Sequence, residues 1–190
     1  MMGNTFSGNE VISAVLSRRS TRAYTAEQIE EQKLQTILEC AFNAPSARNA
    51  QPWFLSVVQD KQLLTAFKKR FLELVGEKRE KFPHIAPEGH YDIFYGAPTV
   101  VFVFGDQTKP WHPYDCSFLG QNITLAAESM GIGSCIVGLV KTLFDDPNSR
   151  DLIRQLKAPA AFTPLFAVIL GYKNEQAPAQ PRDTTKFVRI

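Results

Sequence analysis

The chain is 190 residues long, 44% hydrophobic and 21% charged, an ordinary globular composition that excludes wholesale disorder. At roughly 100–200 residues per domain, this length predicts a single domain over 1–190 with a core that needs no covalent staples. Twenty-one basic against nineteen acidic residues give a net charge of +2, too even for a dedicated nucleic-acid binder.

Cys40, Cys116 and Cys135 are odd in number and form no CxxC pair, which supports neither a disulfide framework nor a zinc ribbon. A reducing cytoplasm is the expected compartment. Residues 1–10 are polar and lack the basic and apolar regions of a signal peptide. The longest nearly apolar run, 165–170, falls far short of the ~20 residues that span a bilayer, so a soluble protein is expected.

In chain order, Val11, Ile12, Val15 and Leu16 share one helical face and predict a helix over 9–18. Thr25 and Gln28 have capping-box spacing, predicting a second helix that runs through Ile29, Leu34, Ile37 and Ala41 until Pro45. Residues 53–58 are aromatic and β-branched, hence a strand. Asp60 then opens a helix whose Leu64, Phe67, Phe71 and Val75 face inward. The stretch 82–98 carries three prolines and two glycines and reads as a long excursion of the kind that serves as a lid. A buried strand (99–104), a helix (115–130), a strand (134–139), a short helix near 147–156 and a strand (165–171) follow. From Lys173 a polar arm with Pro178 and Pro181 trails away. The alternation argues for a sheet flanked by helices. The arm has too few apolar residues to bury locally and is expected to pack on a second copy.

Three clusters could carry chemistry. Residues 17–22 (Ser-Arg-Arg-Ser-Thr-Arg) offer guanidinium forks and hydroxyls that match phosphate oxygens. Cations after a helix also simply complement its dipole, and taken alone the cluster reads that way. Residues 44–53 (Ala-Pro-Ser-Ala-Arg-Asn-Ala-Gln-Pro-Trp) place short polar side chains on a turn. They suit the edge of a planar ligand, or equally an ordinary turn. Residues 131–138 (Gly-Ile-Gly-Ser-Cys-Ile-Val-Gly) mimic a dinucleotide fingerprint in the wrong order, since they follow a helix and enter a strand. Gly131 reads as a helix cap and Gly138 as a point of close approach. His84, His90 and His112 have no metal-site spacing, and Cys135 reads as a packing group. No metal is expected, and no protein nucleophile is visible.

Taken together, the three clusters closely resemble the FMN-dependent nitroreductase family over about residues 10–182. The resemblance implies a three-layer α/β/α fold of the α+β class, with a mixed central sheet and the C-terminal arm exchanged in a homodimer. It implies FMN at the interface and NADH or NADPH as donor. Hydride would pass through flavin N5 to a nitroaromatic, quinone or related small planar acceptor, by ping-pong turnover without a protein acid. By the same resemblance Arg18 and Ser20 are phosphate ligands, Arg19 an adjacent contact, and Arg22 the cation at the flavin's pyrimidine edge. Pro45, Ser46 and Asn49 come from the other subunit, Val137 and Gly138 face the ring, and Arg182 is the tail's phosphate contact. Several relatives carry an Asn and a Lys before the central strand. Here 90–98 reads His-Tyr-Asp-Ile-Phe-Tyr-Gly-Ala-Pro, with no lysine. Phe82, Tyr91, Phe94 and Tyr95 are candidates to stack on an acceptor or to pack the lid. The alternatives are a flavin-binding, sensing or storage protein with little turnover, or a reductive dehalogenase or flavin-consuming enzyme on the same fold.

Overall fold

The computed structural model describes residues 8–78, 82, 85 and 91–190. Its helices are α1 (Glu10–Ser17), α2 (Glu31–Phe42), α3 (Lys61–Glu77), α4 (His112–Ser129), α5 (Lys141–Phe144) and α6 (Arg150–Arg154). Its strands are β1 (Trp53–Val58), β2 (Thr99–Asp106), β3 (Ile132–Val137) and β4 (Phe162–Tyr172), in the sheet order β1-β2-β4-β3.

The period-two geometry of β2 divides the core. Val101 and Val103 face a cluster with Leu34, Ile37 and Ala41 of α2 and Leu119, Ile123 and Ala127 of α4. Val100, Phe102 and Phe104 face the opposite cluster, with Leu64, Phe67 and Phe71 of α3 and Leu143 of α5. Alternating side chains on a strand point to opposite faces, so one buried strand supplies both cores and a helical layer covers each side. The three-layer α+β architecture is therefore as expected. The sheet differs from the mixed one expected: all three pairings among its named strands are antiparallel. The one parallel contact among the described residues is an isolated bridge between Ser20 and Ser134.

Local signals explain most boundaries. Asn9 caps α1 by accepting from the Ile12 N–H at 3.1 Å, and Asp60 caps α3 by accepting from Leu63 at 2.7 Å. Gly131, at φ +74°, ends α4 in the left-handed conformation expected of it. α4 begins three residues earlier than its apolar stripe suggests, because Pro113 suits the first helical turn. β3 is displaced by two residues toward the N-terminus, and the short helix α5 has no clear sequence signal.

The capping box at Thr25 does not form, and α2 begins only at Glu31. The Thr25 N–H donates to the Tyr172 carbonyl at 3.0 Å, and Tyr24 bridges Lys173. The Gln28 side chain instead accepts from the Thr99 hydroxyl at 2.6 Å. Pairing with the sheet end gives these groups partners that a helix start would have left to the side chains alone.

Candidate functional site

Beyond α1 the chain runs along β3. Arg18 leaves the helix with extended backbone (φ −52°, ψ 129°). The Thr21 N–H donates to the Ser134 carbonyl at 2.9 Å. Gly133 makes that approach possible, since a Cβ there would lie 2.9 Å from the Thr21 hydroxyl. The buried Tyr24 hydroxyl donates to the Thr21 carbonyl at 2.8 Å and fixes the far end. The first and third sequence clusters thus form one strip.

The arginines of the strip differ. Arg19 turns its Nη1 back onto the carbonyls of Leu16 (2.7 Å) and Arg18 (2.8 Å), so its side chain complements the end of α1. Arg22 has its N–H capped by the Glu175 carboxylate. The guanidiniums of Arg18 and Arg22 have no ion-pair partner among the described residues. Two guanidiniums without an ion pair, beside the Ser20 hydroxyl, form a donor-rich set, which suits an anion. Cys135 lies in the same strip. Burial pushes its thiol up, against the opposing pull of Arg22, Ser20 and Arg18, so it stays protonated and packs. Burial likewise pushes Cys116 up to about 12.

The second cluster lies elsewhere. Arg48, Asn49 and Gln51 all have left-handed backbone, at φ 55°, 54° and 45°, a conformation that disfavours residues other than glycine and asparagine. The Gln51 N–H donates to the Ser46 hydroxyl at 3.0 Å, and the Gln51 amide donates to the Asn49 carbonyl oxygen at 3.0 Å. Ser46 and Asn49 thus keep their own O–H and NH2 donors for a ligand. The sheet separates this turn from the strip. Trp53 pairs with Gly105, whereas Ser134 pairs with Leu170, which pairs with Thr99. The two corners lie about 14 Å apart across the sheet and about 20 Å along it, at ~4.8 Å per strand and ~3.3 Å per residue. A phosphate seated beside Ser20 is therefore out of reach of this turn on the same chain.

Trp111 and Tyr114, at the start of α4, were not among the expected site residues. They are 57% and 62% exposed, with ring centroids 5.9 Å apart. Together with Pro45, Ser46 and Phe118 they line a cavity of about 410 Å³. The cue was present in the sequence, two aromatics around a helix-starting proline, but the expected helix start at 115 excluded them. The expected lid aromatics fare differently. Phe82 and Phe94 are buried in the α3-side core, because stacking on Phe71 and Phe102 removes them from water. Neither is available to a ligand. Tyr91 and Tyr95 are half-buried, with their hydroxyls 2.9 Å apart. Residues 83, 84 and 86–90 of the expected lid, His84 and His90 among them, lie outside the described residues.

Val137 ends β3 and is buried. Gly138 opens the turn Gly138–Val140, and a Cβ there would meet no atom within 4 Å. Arg182 lies exposed on the arm.

The sequence matches the nitroreductase family over residues 15–172. The chain belongs to the nitroreductase family. Its fold agrees with solved members. A nitroreductase with bound FMN from Bacteroides fragilis superposes with a TM-score of 0.86 at 30% identity, covering 96% of this chain and 99% of that one. Another with bound FMN, from Desulfitobacterium hafniense, gives 0.87 at 30% identity, covering 96% and 98%. An FMN reductase [NAD(P)H] of Bacillus subtilis is 28% identical, over 92% of this chain and 70% of its own length. Within this nitroreductase-family chain, no described helix is long and apolar enough to cross a membrane.

Proposed function

We propose that the chain is an FMN-dependent oxidoreductase that moves hydride from NADH or NADPH to a nitroaromatic, quinone or similar planar acceptor, working as a homodimer. The observation that carries this reading is the pair of unpaired guanidiniums, Arg18 and Arg22, flanking Ser20 on the edge of β3. Burying a dianionic phosphate requires such cations. The residues fit FMN on a second count: the Ser134 hydroxyl is buried in the strip without a hydrogen-bond partner among the described residues. The FMN-bound relatives described above support the same reading.

When bound, FMN supplies a two-electron carrier whose N5 exchanges hydride with donor and acceptor. The protein's part is binding and electrostatics. Arg18 and Ser20 hold the phosphate, and Arg22 sets positive charge at the ring's pyrimidine edge. Val137 and Gly138 offer backbone to the ring face. Pro45, Ser46 and Asn49 serve the cofactor of the second copy, a reading that the distance between this turn and Ser20 supports. Trp111 and Tyr114 offer a surface on which a planar acceptor can stack. The dimer is supported by the exposed apolar side chains of Val11, Val15 and Leu16 on α1 and Phe118 on α4, a concentration typical of association surfaces. The exposed arm, with Phe187, Val188 and Ile190 bare, embraces the second copy and brings Arg182 to the phosphate.

The test is the visible spectrum and sedimentation of the purified protein. Yellow dimers bleached by NADH or NADPH and recoloured by a nitroaromatic or quinone are expected. Folded protein that stays colourless with added FMN removes the proposal, and flavin reduced too slowly for turnover reduces it to a binding protein.

A further inference from the structure

Asp115 sits in the first turn of α4 and is 3% exposed. Its Oδ1 accepts the Ala47 N–H at 3.2 Å, from 68 positions earlier in the chain. Its Oδ2 is buried and has no hydrogen-bond partner among the described residues. As a source of stability this is a poor arrangement. A buried carboxylate oxygen left unpaired is costly; next in the chain is Cys116 of the apolar core, while the clefts beside Asp115 are lined by Trp111, Pro45 and Phe118 but also by Arg48 and Lys109. The charge is felt there, since it adds to the effect of burial in raising the Cys116 thiol. An apolar side chain would pack at this position with less penalty, so an account of Asp115 must lie in what it holds.

It holds the strained turn. Three non-glycine residues within four positions adopt left-handed backbone, and such conformations persist only where the surroundings over-determine them. The hydrogen bonds among Ser46, Ala47, Asn49, Ala50 and Gln51 close the turn on itself but do not orient it. Among the described residues, Ala47 to Asp115 is the one hydrogen bond that ties residues 45–51 to another element.

We infer that Asp115 is a positioning residue for the cofactor: it locks the 45–51 turn to α4, so that Ser46 and Asn49 stand ordered before the ligand arrives. This rests on the FMN reading given above. Ordering a binding loop in advance removes that entropy loss from the binding step, so the lock contributes to cofactor affinity rather than to folding.

The experiment compares the parent, Asp115→Ala and Asp115→Asn by flavin-fluorescence titration and by thermal melting of the FMN-free protein. Asp115→Ala is expected to weaken FMN binding about tenfold, the scale of losing one hydrogen bond to a charged group, with apo melting unchanged or raised. Asp115→Asn keeps an acceptor for Ala47 and is expected to bind within about threefold of the parent. Unchanged affinity in Asp115→Ala overturns the inference. So does a matching loss of apo melting and affinity that asparagine does not rescue, because that is a purely structural role. A parent that binds no FMN at all removes both readings, whereas a parent and alanine variant that bind equally well remove this one alone.

Discussion

Arg70 on α3 and Arg18 beyond α1 carry the same guanidinium into opposite circumstances. Arg70 is 89% withdrawn from solvent, its side chain only 11% exposed, and it pairs with Glu73 at 3.0 Å, Glu77 at 3.0 Å and Asp146 at 2.9 Å. Arg18 is half-buried beside a strand edge and meets no carboxylate among the described residues. Arg70 has every donor occupied by its own chain and so acts within the fold. Arg18 has no carboxylate of the described residues on its guanidinium, which leaves it free to meet an anionic ligand. The contrast predicts that the two arginines separate cleanly by readout, one affecting stability and the other ligand affinity.

The largest effect is expected at Arg70. Arg70→Ala leaves Asp146 buried, with the Ser149 hydroxyl at 2.8 Å and the Asn148 backbone N–H as its remaining partners. Removing one partner of a buried ion pair should cost about 2–4 kcal/mol, seen as a melting temperature lower by roughly 5–10 °C for a chain of this size. FMN affinity of the protein that remains folded should be unchanged. Equal losses in melting and flavin binding would break the distinction.

Next is Arg18→Ala, with the readouts reversed. A phosphate that loses a charge-assisted partner should bind about 30–100-fold more weakly, while apo melting stays within about 1 °C. Unchanged flavin occupancy would place the phosphate elsewhere.

Acid should sharpen the same contrast more gently. Burial alone would raise the Asp146 carboxyl, but the Ser149 hydroxyl and the Arg70 guanidinium outweigh it and hold it below its ordinary value. A depressed carboxyl stabilises the fold above its unfolded pKa of about 3.9 and loses that stabilisation as pH falls through the folded value. The parent should therefore lose melting temperature below about pH 4. Asp146→Asn, already lacking the pair, should show a flatter acid limb. An identical pH profile in the two proteins would remove Asp146 from the account.

Much of this was legible in the sequence, for reasons that can be stated. Asp60, Gly131 and the continuous apolar run of β2 act locally, so their elements stand where the residues put them. Thr25 misled because its alternative partner, the Tyr172 carbonyl, is 147 positions away in sequence, and no short-range spacing reveals it. The site was legible as three clusters but not as an arrangement. Only the parallel bridge from Ser20 to Ser134 shows that two of them share an edge, and only the antiparallel register puts the third at the opposite corner. Arg19 and Arg18 are neighbours of identical type. Which of them turns back to the helix carbonyls depends on the direction the chain takes after α1.

The smallest predicted effect tests the face of the strip rather than its charge. Gly138 has neither a left-handed backbone nor a protein atom within 4 Å of where a Cβ would stand. Packing within the chain therefore gives no reason for glycine at this position. Gly138→Ala should leave apo melting within about 0.5 kcal/mol of the parent, or raise it slightly by restricting the unfolded chain. If the space over Gly138 receives the flavin ring, the added methyl stands in it and FMN affinity should fall about three- to tenfold, roughly 0.7–1.4 kcal/mol. If affinity instead stays at the parent value while Arg18→Ala weakens it, the phosphate is held where proposed but the ring lies off β3. The arginine comparison would survive that result, and the assignment of Val137 and Gly138 would not.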